Sequence, residues 1–204
     1  LLVLLLEILL ATGLAGNDWL AWHMRAGYAM LTLVLFRILW GFLGSRNARF
    51  TAFVRGPRAV KRYARSLRSR AHGVHATHNP LGAWMVVALL AALLLQCALG
   101  LFTNDDILYE GPLVRHITKD LSDTLSSLHR KWWWVIAVLA VLHIGAVTAY
   151  YAMLRENLVK PMLTGRKRLP ADAADASAAM ASMARAIAIL AVCAAGVWWL
   201  VAKF

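Results

Sequence analysis

The sequence is poor in acidic residues and in cysteine. Its 204 residues include 10 Asp and Glu against 22 Lys and Arg, and only 16% of the residues are charged. The two cysteines, Cys97 and Cys193, both lie inside apolar runs. This usage does not indicate a disulfide framework, and it excludes the small disulfide-stabilised domains.

The chain is instead rich in apolar residues. They make up 61% of the chain, which also has nine Trp residues and a mean hydropathy of +0.61. Soluble domains are closer to half apolar, so we interpret the chain as an integral membrane protein. The net charge of +12 does not indicate nucleic-acid binding, because the basic residues lie in short segments between apolar spans, as the positive-inside rule predicts.

Five apolar stretches predict an all-α membrane protein. The predicted helices cover residues 1–14, 21–43, 80–102, 122–151 and 184–201, and Ser122 is the expected N-cap of the fourth. We divide the chain into a core at residues 1–160, a cytoplasmic linker rich in Ala at residues 161–182, and a fifth helix at residues 183–204.

The charged segments between the helices indicate their sides of the membrane. Residues 45–70 contain nine Lys or Arg and no acid, so this loop is expected to be cytoplasmic and to attract anionic lipid. Residues 103–127 contain five acids against two bases and are expected in the periplasm. There they either steer a basic electron-transfer partner or are simply solvated.

Two histidines lie 14 residues apart in the fourth predicted helix. Fourteen residues rise about 21 Å and bring His129 and His143 to within about 40° of one helix face. A bilayer core of about 30 Å would hold one imidazole near each edge, which suits two stacked haems. Alternatively, His129 only marks the polar interface, whereas an ionisable group at the depth of His143 is usually functional. The chain has no Cys-x-x-Cys-His motif, so these haems would be b-type.

The second predicted helix places His23 at the level of His129. Gly27 follows His23 by four residues, on the same helix face, where its missing side chain would let a flat macrocycle approach the backbone. Arg37 lies 14 residues after His23, near the opposite membrane face. It either pairs with a haem propionate or extends its charged end to the interface.

The other ionisable residues support weaker interpretations. His78 precedes the third helix and is too shallow for an iron ligand, although it could contact a cofactor. His72 and His75 lie in the basic loop and His116 in the acidic segment, where solvated side chains are expected. Glu7 lies inside the first helix and is either a proton carrier near a quinone or a paired carboxylate.

Six segments resemble those of a known family. They are WHMRAGY, LFRILWGFLGSRNARF, HNPLG, NDDILYEGPL, the His129 and His143 segment, and ENLVKPMLTGRK. Together they resemble the bacterial di-haem membrane cytochromes b of the cytochrome b561 and NiFe-hydrogenase b-subunit type. The resemblance implies a four-helix transmembrane haem-binding bundle, here followed by a fifth helix, with two b-type haems that pass electrons between periplasmic partners and membrane quinone.

The same resemblance implies the iron ligands. His23 and His129 correspond to the ligands of the periplasmic haem, and His143 to one ligand of the cytoplasmic haem. The family takes the remaining ligand from the first helix, but no His precedes His23 in this sequence. We therefore expect the natural protein to extend upstream of Leu1 and to carry a ligand His there. The alternatives are His78 or a five-coordinate iron.

Two functions remain open at this point. The first is an electron-transfer subunit of an oxidoreductase complex, rather than a stand-alone enzyme, in the bacterial inner membrane with its N-terminus in the cytoplasm. It would relay electrons between membrane quinone and a periplasmic c-type cytochrome, dehydrogenase or hydrogenase. The alternative is a non-redox transporter or assembly subunit with structural histidines. The shared level of His23 and His129 favours the first function, because a transporter offers no reason for it.

Overall fold

The computed structural model describes residues 1–68, 78–155, 157–164 and 181–203. In these ranges the chain is helical, apart from loops, short 3-10 turns and one isolated bridge between Asn104 and Glu110. The helices are α1 (Leu2–Leu14), α2 (Leu20–Leu43), α3 (Phe50–Phe53), α4 (Pro57–Arg68), α5 (Pro80–Gly100), α6 (Lys119–Leu154), α7 (Val159–Thr164) and α8 (Met183–Lys203).

Helices α2, α5, α6 and α8 are long and apolar enough to cross a membrane, and α1 is a shorter apolar helix. Many of their apolar side chains point outward: Val141 of α6 and Trp198 of α8, for example, are 69% and 70% exposed. Large exposed apolar surfaces of this kind are stable in lipid rather than in water. The prediction of an all-α, multi-pass membrane protein is therefore confirmed.

The first of two compact units contains Leu1–Trp40, Leu90–Ile136 and Ser182–Phe204. Its core includes Leu31 of α2, Leu101 at the end of α5 and Val197 of α8, which form one buried cluster. Met30 and Val34, four residues apart and thus on one face of α2, are fully buried. The fifth predicted helix is thus part of the packing of this unit.

The loop between α5 and α6, residues 101–118, is fastened to the start of α6. Asn104 donates from its backbone nitrogen to Ser126 Oγ at 3.0 Å and from its side chain to Ser122 Oγ at 2.6 Å. Ser122 in turn donates to the carbonyl oxygen of Phe102 at 2.8 Å. Both serines are almost fully buried, so these hydrogen bonds satisfy polar groups that water does not reach.

The predicted N-cap of the fourth membrane helix is wrong. Helix α6 begins at Lys119, one turn before Ser122, and the hydroxyl of Thr118 accepts a hydrogen bond from the backbone nitrogen of Leu121 at 3.4 Å. Thr118 therefore occupies the capping position. Ser122 has the right chemistry for a cap, but its hydroxyl is used between the loop and the helix.

The second unit contains Gly41–Leu89 and Ala137–Ala181. Here the expected basic loop is not irregular, because residues 57–68 form α4. Tyr63 of α4 is buried, and its hydroxyl lies 2.6 Å from that of Tyr150 on α6. The indole nitrogen of Trp84 donates to the carbonyl oxygen of Arg55 at 2.9 Å. These bonds hold α4 and the segment before it within the unit.

Candidate functional site

The first unit brings His23 of α2 and His129 of α6 together. The centres of the two imidazole rings are 6.2 Å apart, and the ring planes are perpendicular. Both side chains are partly buried. Two imidazoles held this close inside an apolar helical unit are a candidate site for a shared ligand.

The surroundings of His23 determine which ring nitrogen carries its proton. Its Nδ1 lies 3.0 Å from the carbonyl oxygen of Leu9 on α1, and a carbonyl can only accept a hydrogen bond, so Nδ1 must donate. The hydroxyl of Thr12 lies 3.4 Å from the same nitrogen and donates to the carbonyl oxygen of Ile8 at 2.7 Å. In the neutral ring, Nε2 then keeps a lone pair that can bind a metal.

His129 is held by a hydrogen bond of the same kind, which it makes to helix α5. Its Nδ1 donates to the carbonyl oxygen of Gln96 on α5 at 3.0 Å. The side-chain amide of Gln96 returns a hydrogen bond to the carbonyl oxygen of His129 at 3.1 Å. This reciprocal pair fixes the ring against α5. The lone pair is then on Nε2, which lies 3.5 Å from the side-chain nitrogen of Gln96 in this structure.

The spacing of the two rings fits one metal ion between them. A metal–imidazole bond of about 2 Å on each side, with each ring centre roughly 1.1 Å behind its nitrogen, gives a separation of about 6.2 Å between ring centres. The observed separation is 6.2 Å. The separation therefore equals that expected for two imidazoles whose Nε2 atoms face one shared iron.

The ligand count favours a cofactor over a bare ion. Among the residues that the structure describes, no group of three or more His, Cys, Asp or Glu side chains could hold a metal ion. A free ion would need about four protein ligands, whereas a haem iron needs only the two axial ones. A side chain added at Gly27 would meet no atom within 4 Å, so there is open space one turn from His23.

The remaining predicted residues lie apart from this pair or outside the described ranges. His143 is half-buried on α6 in the second unit, and the ring of His78 in that unit packs on Phe53 with centres 4.8 Å apart. Arg37 is half-buried on α2, and Glu7 of α1 is exposed.

Three further histidines were expected in the segments between the helices, namely His72, His75 and His116. His116 lies exposed in a short 3-10 turn of the α5–α6 loop. His72 and His75 lie outside the described residues. None of the three is assigned a part in the site.

The sequence-based prediction missed four residues that hold the imidazoles. Leu9 and Gln96 supply backbone carbonyls, which carry no signature in a sequence. Gly13 and Gly100 lie against the two rings. Gln96 did carry a signal, because a polar side chain within an apolar span usually has a specific partner.

The 3-10 turn between α1 and α2 and the α5–α6 loop also form an open cleft of about 310 Å³, lined by Asp18, Asp105, Ile107, Leu108 and Tyr109. Ile107 and Leu108 are 77% and 75% exposed. The cleft combines acidic and apolar groups in the same unit as the histidine pair.

Comparisons with known proteins agree with the geometry. Residues 1–165 match the family model described as prokaryotic cytochrome b561. The chain is 26% identical over 167 residues to the "Probable Ni/Fe-hydrogenase B-type cytochrome subunit" of Rhodobacter capsulatus, which covers 74% of this chain and 63% of the relative. The chain thus matches less than two thirds of that relative's length. No solved structure matches it.

Proposed function

Because the chain belongs to the prokaryotic cytochrome b561 family, we propose that it is a membrane electron-transfer subunit that binds two b-type haems. The family supports the coarser function of electron transfer by b-type haem in a membrane. His23 and His129 are the proposed axial ligands of the first haem iron. His143 is the proposed ligand of a second haem.

The distance between the ring centres of His23 and His129, 6.2 Å, is the observation that carries this proposal. The two Nδ1–carbonyl bonds support it, because each fixes the tautomer that leaves Nε2 for the metal. Gly27 offers the space for a macrocycle beside His23. When bound, haem supplies a one-electron carrier, and the protein holds it in a water-poor helical unit.

The second haem is supported by the position of His143. It lies on the same uninterrupted helix as His129, α6, in an apolar stretch where an ionisable group is rarely without a function. His78, in the same unit as His143, is proposed to contact this cofactor without binding iron, and Arg37 is proposed to pair with a haem propionate. The second ligand of this iron is not assigned.

We propose one electron-transfer partner in the membrane and one in the periplasm. Membrane quinone is the lipid-soluble carrier, and a periplasmic c-type cytochrome, dehydrogenase or hydrogenase is the water-soluble one. The relative's name includes a hydrogenase, which supports a redox complex of this kind. We place the chain in the bacterial inner membrane, with the acidic α5–α6 loop in the periplasm and the N-terminus in the cytoplasm, on the distribution of basic residues.

The test is a haem count on purified variants. His23→Ala and His129→Ala should each remove the same haem, so that the pyridine haemochrome falls by half and the same b-type band disappears from the reduced-minus-oxidised spectrum. His143→Ala should remove the other band. His116→Ala is the matched control, because it removes an exposed histidine of the α5–α6 loop and should keep the wild-type spectrum.

Two outcomes would overturn the proposal. If the purified wild-type protein shows no b-type difference spectrum, the haem function is wrong. If His23→Ala and His129→Ala remove different haems, or leave both in place, the two histidines do not share an iron.

A further inference from the structure

The two paired histidines lie in closely similar cradles made by two different helices. His23 donates to the carbonyl oxygen of Leu9, and Gly13 follows Leu9 by four residues. His129 donates to the carbonyl oxygen of Gln96, and Gly100 follows Gln96 by four residues. Residues four apart lie on one helix face, so each imidazole faces a carbonyl and, one turn later, a glycine.

The contacts between ring and glycine also agree in detail. A Cβ atom on Gly13 would lie 3.0 Å from Cε1 and 3.1 Å from Nδ1 of His23. One on Gly100 would lie 3.1 Å from Cε1 and 3.5 Å from Nδ1 of His129. In both cases the edge of the ring that carries Cε1 meets the helix, and the closest approach is shorter than ordinary carbon–carbon contact of 3.5–4.0 Å.

Among the described glycines, Gly13 and Gly100 are the two that an imidazole ring approaches within 4 Å, whereas Gly41 packs on the ring of Phe50. Gly27, Gly145 and Gly196 also lie within long helices, and a Cβ on any of them would meet no atom within 4 Å. Gly13 and Gly100 lie in the last turns of α1 and α5, where glycine is common, but neither has the positive φ of a left-handed helix cap. The imidazoles occupy the space of the missing side chains.

We propose that Gly13 and Gly100 are positioning residues that set the orientation of the two axial imidazoles. Each glycine lets the Cε1 edge of its ring come close enough to the helix for Nδ1 to reach the carbonyl one turn earlier. That hydrogen bond raises the basicity of the imidazole and fixes its rotation about the iron–nitrogen bond. The inference rests on the proposed function, because it assumes that His23 and His129 bind one iron.

The effect of a methyl group at either position follows from this geometry. Gly13→Ala or Gly100→Ala pushes the ring away from its carbonyl, which weakens the Nδ1 hydrogen bond and makes the imidazole a poorer donor to iron. A poorer donor stabilises ferric iron less, so the reduction potential of this one haem should rise. Haem retention should weaken by about tenfold or more.

Spectroscopy and potentiometry on the full-length haem protein give the first test. The low-spin ferric EPR signal reports the angle between the two imidazole planes, which are perpendicular here. Gly13→Ala and Gly100→Ala should each shift that signal and raise the midpoint potential of the haem lost in His129→Ala, while the other haem stays unchanged. Gly196→Ala, in the same unit and free of neighbours, should change neither.

A double-mutant cycle keeps the inference testable if an alanine variant binds no haem. Gly100→Ala should lower the thermal stability of the wild-type apoprotein in detergent but not that of His129→Ala, because the clashing ring is already gone. Gly13→Ala should behave in the same way with His23→Ala. Equal destabilisation in both backgrounds would overturn the inference.

The two proposals fail differently. If His23→Ala and His129→Ala leave haem bound, the assignment of the ligands is wrong. If those variants lose one haem, but Gly13→Ala and Gly100→Ala keep the wild-type EPR signal and potential, only the positioning role is wrong.

Discussion

One carboxylate oxygen of Asp105 organises the tip of the α5–α6 loop. Its Oδ1 accepts hydrogen bonds from the backbone nitrogens of Ile107, Leu108 and Tyr109 at 3.0, 2.9 and 2.8 Å. Partial desolvation raises the pKa of Asp105, but these three bonds outweigh it and hold the pKa below its ordinary value of 3.8. The charged form is therefore the one that stabilises the tip.

This gives the loop a defined pH dependence. Because the folded pKa lies below 3.8, the stabilisation is complete above that value and is lost as the pH falls through the folded pKa. Hydrogen-exchange protection of the amides of Ile107, Leu108 and Tyr109 should be constant from pH 7 to about pH 5 and fall in more acidic solution.

Two substitutions at Asp105 distinguish the effect of its negative charge from that of its acceptor oxygen. Asp105→Ala should abolish the protection at pH 7, whereas Asp105→Asn, which keeps an acceptor oxygen, should retain part of it. Full protection in Asp105→Ala at pH 7 would show that the carboxylate does not hold the tip.

At the level of single residues, the sequence predicts the histidine pair but not what holds it. The level of His23 and that of His129 follow from helix spacing alone. Their acceptors, Leu9 and Gln96, act through backbone carbonyls, which every residue has, so only the three-dimensional packing identifies them. Ser122 shows the same limit, because a good capping residue was used for tertiary hydrogen bonds instead.

Helix α4 was not predicted from the sequence. Its run of bases was interpreted as a loop, yet apolar and basic residues alternate with the helical period. Tyr63 is buried on one face, while Arg58, Lys61, Arg62 and Arg65 line an open cleft of about 310 Å³. The positive charge of a one-sided basic helix attracts anionic lipid head groups, so α4 is a candidate lipid-binding element.

We expect α4 to contribute measurably to lipid binding. Each Lys or Arg near an anionic surface is worth about 1 kcal/mol, so Lys61→Gln with Arg65→Gln should weaken binding of phosphatidylglycerol roughly thirtyfold. Native mass spectrometry with a lipid titration measures this change. Arg115→Gln with Lys131→Gln is the control with the same loss of charge. Equal losses in both pairs would mean that the effect is only one of net charge.

Across the whole molecule, composition predicted the class of protein, and spacing predicted the helices. The outward apolar surface of α2, α5, α6 and α8 explains why this worked: lipid requires continuous apolar spans, which any sequence must display. The packing around the two imidazoles could not be predicted from the sequence. The contacts of Gly13 and Gly100 with imidazole rings were not predicted, because those rings come from other helices.

The distribution of charge in the chain predicts how a soluble redox partner would associate. Asp106 of the α5–α6 loop forms an ion pair with Lys119, while Glu110 is exposed at the base of the loop. Asp106→Asn with Glu110→Gln should slow electron exchange with a basic c-type cytochrome and flatten its dependence on salt, since charges are screened over about 8 Å at physiological ionic strength.

Stopped-flow kinetics across a salt series measure this effect. Glu7→Gln removes an acid within α1 and serves as the control. If the rate of the double variant depends on salt as the wild-type rate does, the loop does not steer the partner.

The hydrogen bonds of Asn104 make the α5–α6 loop and the start of α6 one stiff body. Ser126, which accepts from the backbone of Asn104, lies three residues before His129 on an uninterrupted helix. A helix of this kind does not bend sharply without a Pro or a bulge. A partner that presses on the loop would therefore displace the imidazole of His129, the proposed iron ligand, without an intervening hinge.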